Sequence, residues 1–428
     1  MDNKNQPAAI GLLYPAMQKF YSALNCLEQF KKGNNFFDNI SSLDSFFSEY
    51  RNVTFVLQKS LAHTEYEDIY EKNREQHLKN ETCKWFIDKR NEVLKQHPFY
   101  LEKKVIITVY SPQTSIALPE QIFTIENDVE YSTLIESLKS FLIKINHVEV
   151  FFSVEFSFYE KGVGKELYDN LIEGINKMQQ FLLAMKDEIQ EECNLCNQLQ
   201  QRIDKLTFYK VPKNMLFIDD YVYYCQENKF EKSSRMEAQS GIPKNTKLPL
   251  FGFFDSIKQH FGEQENDFFY FITLHTVIFD MQKTLMPTFM IIYEDDTFEL
   301  TSFTGSIKTT VYRKINDIAK RIEQDSIKLV FFVTEMLNYK NSQNDYIDIL
   351  KTNSNERAKH RTSESLCFFM LNRNLQYQSF AFDSDKVGNM EYVGSILKNP
   401  VNEYMDINFL QPIKDEFRRL NDKNSNGS

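Results

Sequence analysis

The sequence predicts an α+β protein with an N-terminal helical bundle, a strand-containing middle with one long helix, and a C-terminal α+β domain. Apolar residues recur at helical spacing over the first hundred residues and alternate at period two after about residue 105. The chain has 428 residues and is 42% hydrophobic, which allows two or three domains with sizeable cores. We assign these regions to residues 1–100, 101–231 and 249–420.

The N-terminal region is predicted to form an up-and-down bundle of four amphipathic helices. The first carries an apolar stripe that includes Leu12, Met17 and Phe20. The next three are predicted at about 36–61, 65–79 and 80–97. The last should stop at Pro98, because a proline pushes the residue before it out of helical geometry.

The middle region combines strands with helices. We predict strands at Val105–Val109 and at 116–125, and a helix at about 130–145. The clearest strand is His147–Tyr159, which has one apolar face and one half-polar face, as expected of a half-buried antiparallel strand.

One long helix is predicted at about 165–206. Its apolar residues keep a 4-3 spacing over about five heptads, broken only by Glu192. Such a seam could pack against the N-terminal helices of the same chain, as a helical hairpin, or against a second subunit. Cys193 and Cys196 lie inside this helix as a C-x-x-C, and we interpret them as packing residues rather than a redox motif.

The C-terminal region is predicted to follow a polar linker at 232–249. It should contain two β-hairpins, a helix, a buried strand and a core histidine, His275. The corresponding ranges are 288–303 and 366–382 for the hairpins, 309–324 for the helix and 327–334 for the strand. A polar loop is expected at 340–361 and disorder at 421–428.

The composition excludes several functional classes. The net charge is −10, so a nucleic-acid site would have to be a local basic patch. The 12 glycines form neither a dinucleotide-binding nor a P-loop pattern. The six cysteines are too sparse for a disulfide framework. With no signal peptide or membrane span evident, we expect a cytoplasmic protein without a membrane partner.

The segment that suits chemistry on a phosphate contains Arg90, Asn91 and His97. On a continuous helix, Arg90 and His97 would share one face about 10 Å apart along the axis. His97 could act as general acid or base, and Arg90 could neutralise a phosphate. Asn91 could orient the phosphate or the ring of His97. The alternative is a surface arginine paired with Asp88 or Glu92 and a histidine near a helix end.

This pattern resembles the HEPN superfamily, in which a helical bundle carries an Arg, four to six residues and then a His. The resemblance covers only about residues 8–98. It implies a metal-independent endoribonuclease that works as a homodimer with a composite site, acts on RNA, and often serves as a toxin or anti-phage effector. It implies Arg90, Asn91 and His97 as the catalytic residues and requires no cofactor.

A weaker candidate for ligand binding lies in the C-terminal region. Lys308 and Arg313 begin a helix whose N-terminus can hold an anion, and Arg357 lies in a polar, basic stretch. They could bind a small-molecule or protein trigger, although an ordinary helix cap and a solvated loop explain them too. No metal-binding motif is present. The alternative to a ribonuclease is a non-catalytic scaffold or a nucleotide-sensing module that assembles through the long helix.

Overall fold

The α+β class is confirmed by a computed structural model of the chain. It describes residues 11–33, 35–164, 166–190, 192–234, 236–240, 267–339, 352, 357–398 and 408–426. Contacts divide the chain into two units. Unit 1 comprises Met1–Ile106, Gln121–Ser137 and Val154–Ile218, and unit 2 comprises Ile107–Glu120, Leu138–Ser153 and Asp219–Ser428.

The four predicted N-terminal helices are confirmed. They are α1 (Tyr14–Gln29), α2 (Phe36–Leu61), α3 (Glu67–Leu78) and α4 (Glu81–Lys95). The side chains of Phe46, Phe47 and Phe86 are fully buried, and the ring centroid of Phe86 lies 5.5 and 5.6 Å from those of the other two. These edge-on aromatic contacts fix α4 against α2. Asn80 caps α4, because its side chain accepts a hydrogen bond from the Cys83 N–H.

The middle of the chain contributes five strands and five helices among the described residues. They are β1 (Leu101–Tyr110), β2 (Gln121–Ile125), α5 (Tyr131–Ser137), α6 (Lys139–Leu142), β3 (Glu149–Glu160), α7 (Leu167–Ile189), α8 (Asn194–Ile203), α9 (Lys213–Phe217), β4 (Ile218–Tyr224) and β5 (Lys229–Lys232). The strands form one sheet in the order β2-β1-β3-β4-β5. Strands β1 and β3 contribute residues to both units.

The prediction that β3 is half-buried is wrong. Both of its faces are covered, and the polar side chains Glu149, Ser153 and Ser157 are all buried. Ser153 can occupy such a position because its hydroxyl hydrogen-bonds to that of Tyr110 at 2.9 Å. Burial of Ser153 and Glu149 therefore depends on partners that lie far away in the sequence, Tyr110 and Arg357.

The prediction of one long helix at 165–206 is also wrong. Helix α7 ends at Ile189, where Gln190 adopts a left-handed conformation (φ 52°), and α8 begins only at Asn194. The break lies beside Glu192, the polar residue that interrupts the apolar spacing. Since the helix is divided, no five-heptad seam runs through the described part of 165–206, and Cys193 lies at a helix start instead of a helix interior.

Unit 2 is built on a six-stranded sheet in the order β11-β10-β9-β7-β8-β6. Its elements from this part of the chain are β6 (Glu237–Ser240), α10 (Asp267–Gln282), β7 (Thr288–Tyr293), β8 (Phe298–Phe303), α11 (Lys308–Asp325), β9 (Ile327–Tyr339), β10 (Arg361–Asn372), β11 (Tyr377–Asp383), α12 (Met390–Lys398) and α13 (Gln411–Asn426). Both predicted hairpins, β7–β8 and β10–β11, are confirmed, and both pair antiparallel. The predicted helix and buried strand correspond to α11 and β9.

Helices cover both faces of this sheet. Val330 and Phe332 of β9 belong to the core that α11 and α13 complete, whereas Phe331 and Val333 belong to the core that includes α10. Successive side chains of a strand point to opposite faces, so a strand covered on both sides must be apolar throughout. This accounts for the unbroken apolar run in β9.

Other predictions for the C-terminal region have mixed outcomes. His275 is confirmed as a buried, hydrogen-bonded core residue. Predicted disorder at 421–428 is wrong for residues 421–426, which continue α13; Asn421 Nδ2 donates to the carbonyl of Arg373 at 2.8 Å. The predicted linker 232–249 contains β6, and its later part, like most of 340–361, lies outside the described residues.

Candidate anion-binding site

Unit 1 contains a cavity of about 410 Å³ bounded by α2, α3, α4 and α7. Its lining combines cationic, hydroxyl and apolar side chains with one carboxylate, that of Glu75, which pairs with Lys79 at 3.1 Å. The lining residues are Tyr50, Arg51, Thr54, Arg74, Glu75, Leu78, Lys79, Cys83, Ile87 and Met178. A cavity of this size, with charged and hydroxyl groups beside apolar ones, could hold a small ligand.

Arg90 lies next to this cavity. Cys83, Ile87 and Arg90 follow one another at spacings of four and three residues, so they share a face of α4. The Cζ atoms of Arg90 and Arg51 lie 5.8 and 4.1 Å from the ring centroid of Phe55 on α2. Two guanidinium groups from different helices are thereby held over one aromatic ring.

These two arginines donate hydrogen bonds to uncharged side chains. Within the part of the chain that the structure describes, neither Arg51 nor Arg90 has a carboxylate at ion-pair distance. Arg51 Nη1 donates to Thr54 Oγ1 at 2.6 Å, and Arg90 Nη1 donates to Asn91 Oδ1 at 3.2 Å. The Arg90 Nε atom is buried and has no hydrogen-bond partner. The alternative in which Arg90 pairs with Asp88 or Glu92 is therefore wrong.

The positive charges of Arg51, Arg74 and Arg90 repel one another. Burial lowers the pKa of Arg51, the phenol of Tyr70 opposes that effect, and the positive charges of Arg74 and Arg90 lower the pKa further. Arg74 has its own partner, Glu71 at 3.0 Å. We call Arg51, Arg74 and Arg90 the arginine cluster. A phosphate that accepts hydrogen bonds from guanidinium groups would relieve this repulsion.

His97 lies outside the helix that carries Arg90. Helix α4 ends at Lys95, and Gln96 has already left helical geometry at φ −128° and ψ −63°. The prediction that Arg90 and His97 share one helix face is therefore wrong. The physical reason is the following proline, Pro98, which excludes helical backbone at His97.

The imidazole of His97 is held by its immediate neighbours. The ring stacks on the exposed ring of Tyr100, with a centroid distance of 4.0 Å and an interplanar angle of 10°. Nδ1 lies 3.0 Å from the carbonyl oxygen of Pro98. Since a carbonyl only accepts, Nδ1 carries the proton, and in the neutral ring Nε2 is left as a base.

Arg90 and His97 are not brought together within one chain. Arg90 lies over the ring of Phe55. His97, in contrast, lies close enough to Asp44 to influence the pKa of that carboxyl group. Burial raises the pKa of Asp44, and the charge of His97 opposes this increase. Asp44 and Phe55 are eleven residues apart on α2, or about 16 Å along the helix axis. A site that uses both residues would need a second copy of the chain.

The three residues of the weaker candidate, all in unit 2, are placed as follows. Arg313 is buried, and its Nε and Nη2 donate to Asp220 at 2.7 and 2.9 Å, while Nη1 lies 3.0 Å from Asp317. Arg357 pairs with the buried carboxylate of Glu149. The exposed Lys308 places its Nζ 6.0 Å from the ring centroid of Phe151. Carboxylates thus already occupy both arginines.

Sequence reasoning found Arg90 but missed Arg51 and Phe55. A local signal existed, because Arg51 and Phe55 are separated by four residues and so share a face of α2. Nothing in the sequence relates this pair to Arg90, since that contact depends on how α2 and α4 pack.

Comparisons with protein-family models, with curated proteins and with solved structures give no match. Among the described residues, no helix is long and apolar enough to cross a membrane. The same residues contain no cluster of three or more His, Cys, Asp or Glu side chains placed to hold a metal ion.

Proposed function

We propose that unit 1 is a metal-independent endoribonuclease module that holds an RNA phosphate at Arg51 and Arg90. The observation that carries the proposal is the pair of guanidinium groups over Phe55, which have no carboxylate partner among the described residues. The resemblance of Arg90-Asn91 and His97 to the HEPN motif supports the same assignment, and with it a cytoplasmic toxin or antiviral effector.

The chemistry follows from the groups present. His97 Nε2 takes the proton from a ribose 2′-hydroxyl, and the 2′-oxygen attacks the adjacent phosphorus. The bond to the 5′-oxygen breaks, and that oxygen receives a proton from an imidazolium or from water. Arg90 stabilises the negative charge that develops on the phosphate, and Asn91 holds Arg90 through their hydrogen bond. The products carry 2′,3′-cyclic phosphate and 5′-hydroxyl ends.

The proposal requires two copies of the chain. Since Arg90 and His97 of one chain lie apart, a homodimer must place Arg90 of one protomer beside His97 of its partner. A two-fold symmetric dimer would then contain two such sites.

The test is RNA cleavage in EDTA by the full chain and its Arg90→Ala and His97→Ala variants. Arg202→Ala and His77→Ala serve as matched controls, because both side chains lie at least partly exposed on other helices. We expect cyclic phosphate ends from the wild type and both controls, and at least a hundredfold slower cleavage by the two site variants. Equal cleavage by all five proteins would contradict the site assignment.

A nucleotide-sensing module is the second candidate, and the cavity favours it. A space of about 410 Å³ beside the arginine cluster is large enough for a mononucleotide. In this case a nucleotide should raise the melting temperature of the wild type but not of Arg51→Ala, while RNA stays intact. The scaffold alternative relied on one helix at 165–206, and this segment is divided into α7 and α8.

A further inference from the structure

The C-x-x-C segment has the geometry of a reactive dithiol. Cys193 is the N-cap residue of α8, and its Sγ accepts a hydrogen bond from the N–H of Cys196 at 3.3 Å. The side chain of Cys196 also lies near enough to the same sulfur to favour its thiolate form. Both cysteines are reduced.

The sulfur of Cys193 is surrounded by donors. The Cys196 N–H donates to it, and the backbone N–H groups of Gly11, which lies just before α1, and of Leu195 lie near enough to favour its thiolate form. Burial raises the pKa of the Cys193 thiol, but the hydrogen bonds from Cys196, Gly11 and Leu195 outweigh it and leave the pKa below its ordinary value. The start of a helix favours an anion for the same reason.

The other cysteines provide a built-in comparison. Burial raises the pKa of the Cys26, Cys83 and Cys225 thiols above the ordinary value, and raises that of Cys367 to about 12. Yet Cys26 and Cys225 are more exposed than Cys193. If exposure determines reactivity, Cys26 and Cys225 should react before Cys193. If thiolate character determines it, Cys193 should react first.

We propose that Cys193 and Cys196 form a redox-active pair that a hydroperoxide oxidises to an intramolecular disulfide. The Cys193 thiolate attacks one peroxide oxygen, the O–O bond breaks, and the products are a sulfenic acid and water or an alcohol. The Cys196 sulfur then attacks the Cys193 sulfur, a disulfide forms, and water leaves. In total, two thiols are oxidised by two electrons and one peroxide is reduced.

Oxidation has a consequence for Gly11. A disulfide sulfur is a weaker hydrogen-bond acceptor than a thiolate, so the Gly11 N–H loses its charged partner. Oxidation of the pair thus weakens the connection between the start of α1 and the start of α8. This effect is independent of the proposed ribonuclease.

The experiment treats the reduced full chain with less than one equivalent of hydrogen peroxide and maps the cysteines by peptide mass. We expect the Cys193–Cys196 disulfide to form first, with faster hydrogen exchange at Gly11. In Cys196→Ser, which lacks the second thiol, a sulfenic acid should accumulate at Cys193 and react with dimedone. The control Cys225→Ser should behave as the wild type.

Two outcomes would overturn the proposal. One is oxidation of Cys26 or Cys225 before the pair, which would mean that exposure alone determines reactivity. The other is a pair that stays reduced after peroxide is consumed. Trp85 fluorescence, recorded on each variant, shows that the compared proteins are folded.

Discussion

Lys103 in β1 is a buried amine in unit 1, and its titration gives a specific prediction. The side chain is 3% exposed, and its Nζ donates to Asn39 Oδ1 at 2.9 Å and to the carbonyl of Lys32 at 3.2 Å. The rings of Phe156 and Phe158 lie within 6 Å of it. Burial lowers the pKa of Lys103 from 10.5 to about 8, although Asp128 opposes the effect.

The direction of the pH effect follows from these two values. Between pH 8 and 10.5 the unfolded chain keeps the Lys103 proton, whereas the folded chain has released it. The free energy of unfolding therefore rises with pH in this range. A difference of about 2.5 in pKa corresponds to about 3 kcal/mol, of which about 2 kcal/mol falls between pH 7 and 9.5.

The assay is urea unfolding at a series of pH values, for the wild type and for Lys103→Met. The single tryptophan, Trp85, lies in the same unit and donates to Glu160 at 3.0 Å, so its fluorescence reports on this unit. We expect the free energy of unfolding of the wild type, minus that of the variant, to rise by about 2 kcal/mol from pH 7 to 9.5. A difference that stays constant within about 0.5 kcal/mol would refute the reasoning.

Three further predictions concern stability. Asp220→Ala leaves Arg313 buried without its bidentate partner and should lower the free energy of unfolding of unit 2 by about 3–5 kcal/mol. Replacing both residues by apolar ones should recover most of that free energy, as measured by urea unfolding. Because burial lowers the pKa of His275 from 6.5 to about 4, unit 2 should lose about 3 kcal/mol as the pH falls from 6.5 to 4, and a His275→Leu variant should show a flatter profile. Gly174→Ala would push a methyl group into the buried ring of Phe86 and should lower the free energy of unfolding of unit 1 by about 1–3 kcal/mol. If the urea midpoint of unfolding is unchanged by Gly174→Ala, the ring of Phe86 moves aside without cost and the prediction is wrong.

Local patterns in the sequence were enough to predict the helices of the bundle and the hairpins of unit 2. The apolar spacing of α1 to α4 and the turn Glu294–Thr297 depend only on neighbouring residues. The break after α7 was not predicted in this way, because the apolar spacing resumes after its one interruption at Glu192. It depends on the left-handed conformation of Gln190 and on the cap that Cys193 provides.

Only part of the candidate site could be predicted, because local sequence patterns do not contain contacts between distant residues. The Arg90-Asn91 pair and His97 are visible as a motif, but the end of α4 at Lys95 separates them. The guanidinium of Arg51 joins Arg90 only through the packing of α2 against α4. The contacts that define the arginine cluster are long-range, so no local pattern contains them.

The most direct test of the proposed ribonuclease is to mix the two inactive variants. Arg90→Ala and His97→Ala chains are unfolded and refolded together in EDTA, and cleavage is compared with that of each variant alone. If Arg90 of one protomer acts with His97 of its partner, half of the dimers regain one of two sites, and about a quarter of wild-type activity returns. If the mixture is as inactive as the separate variants while the refolded wild type cleaves RNA, the two residues do not form a shared site.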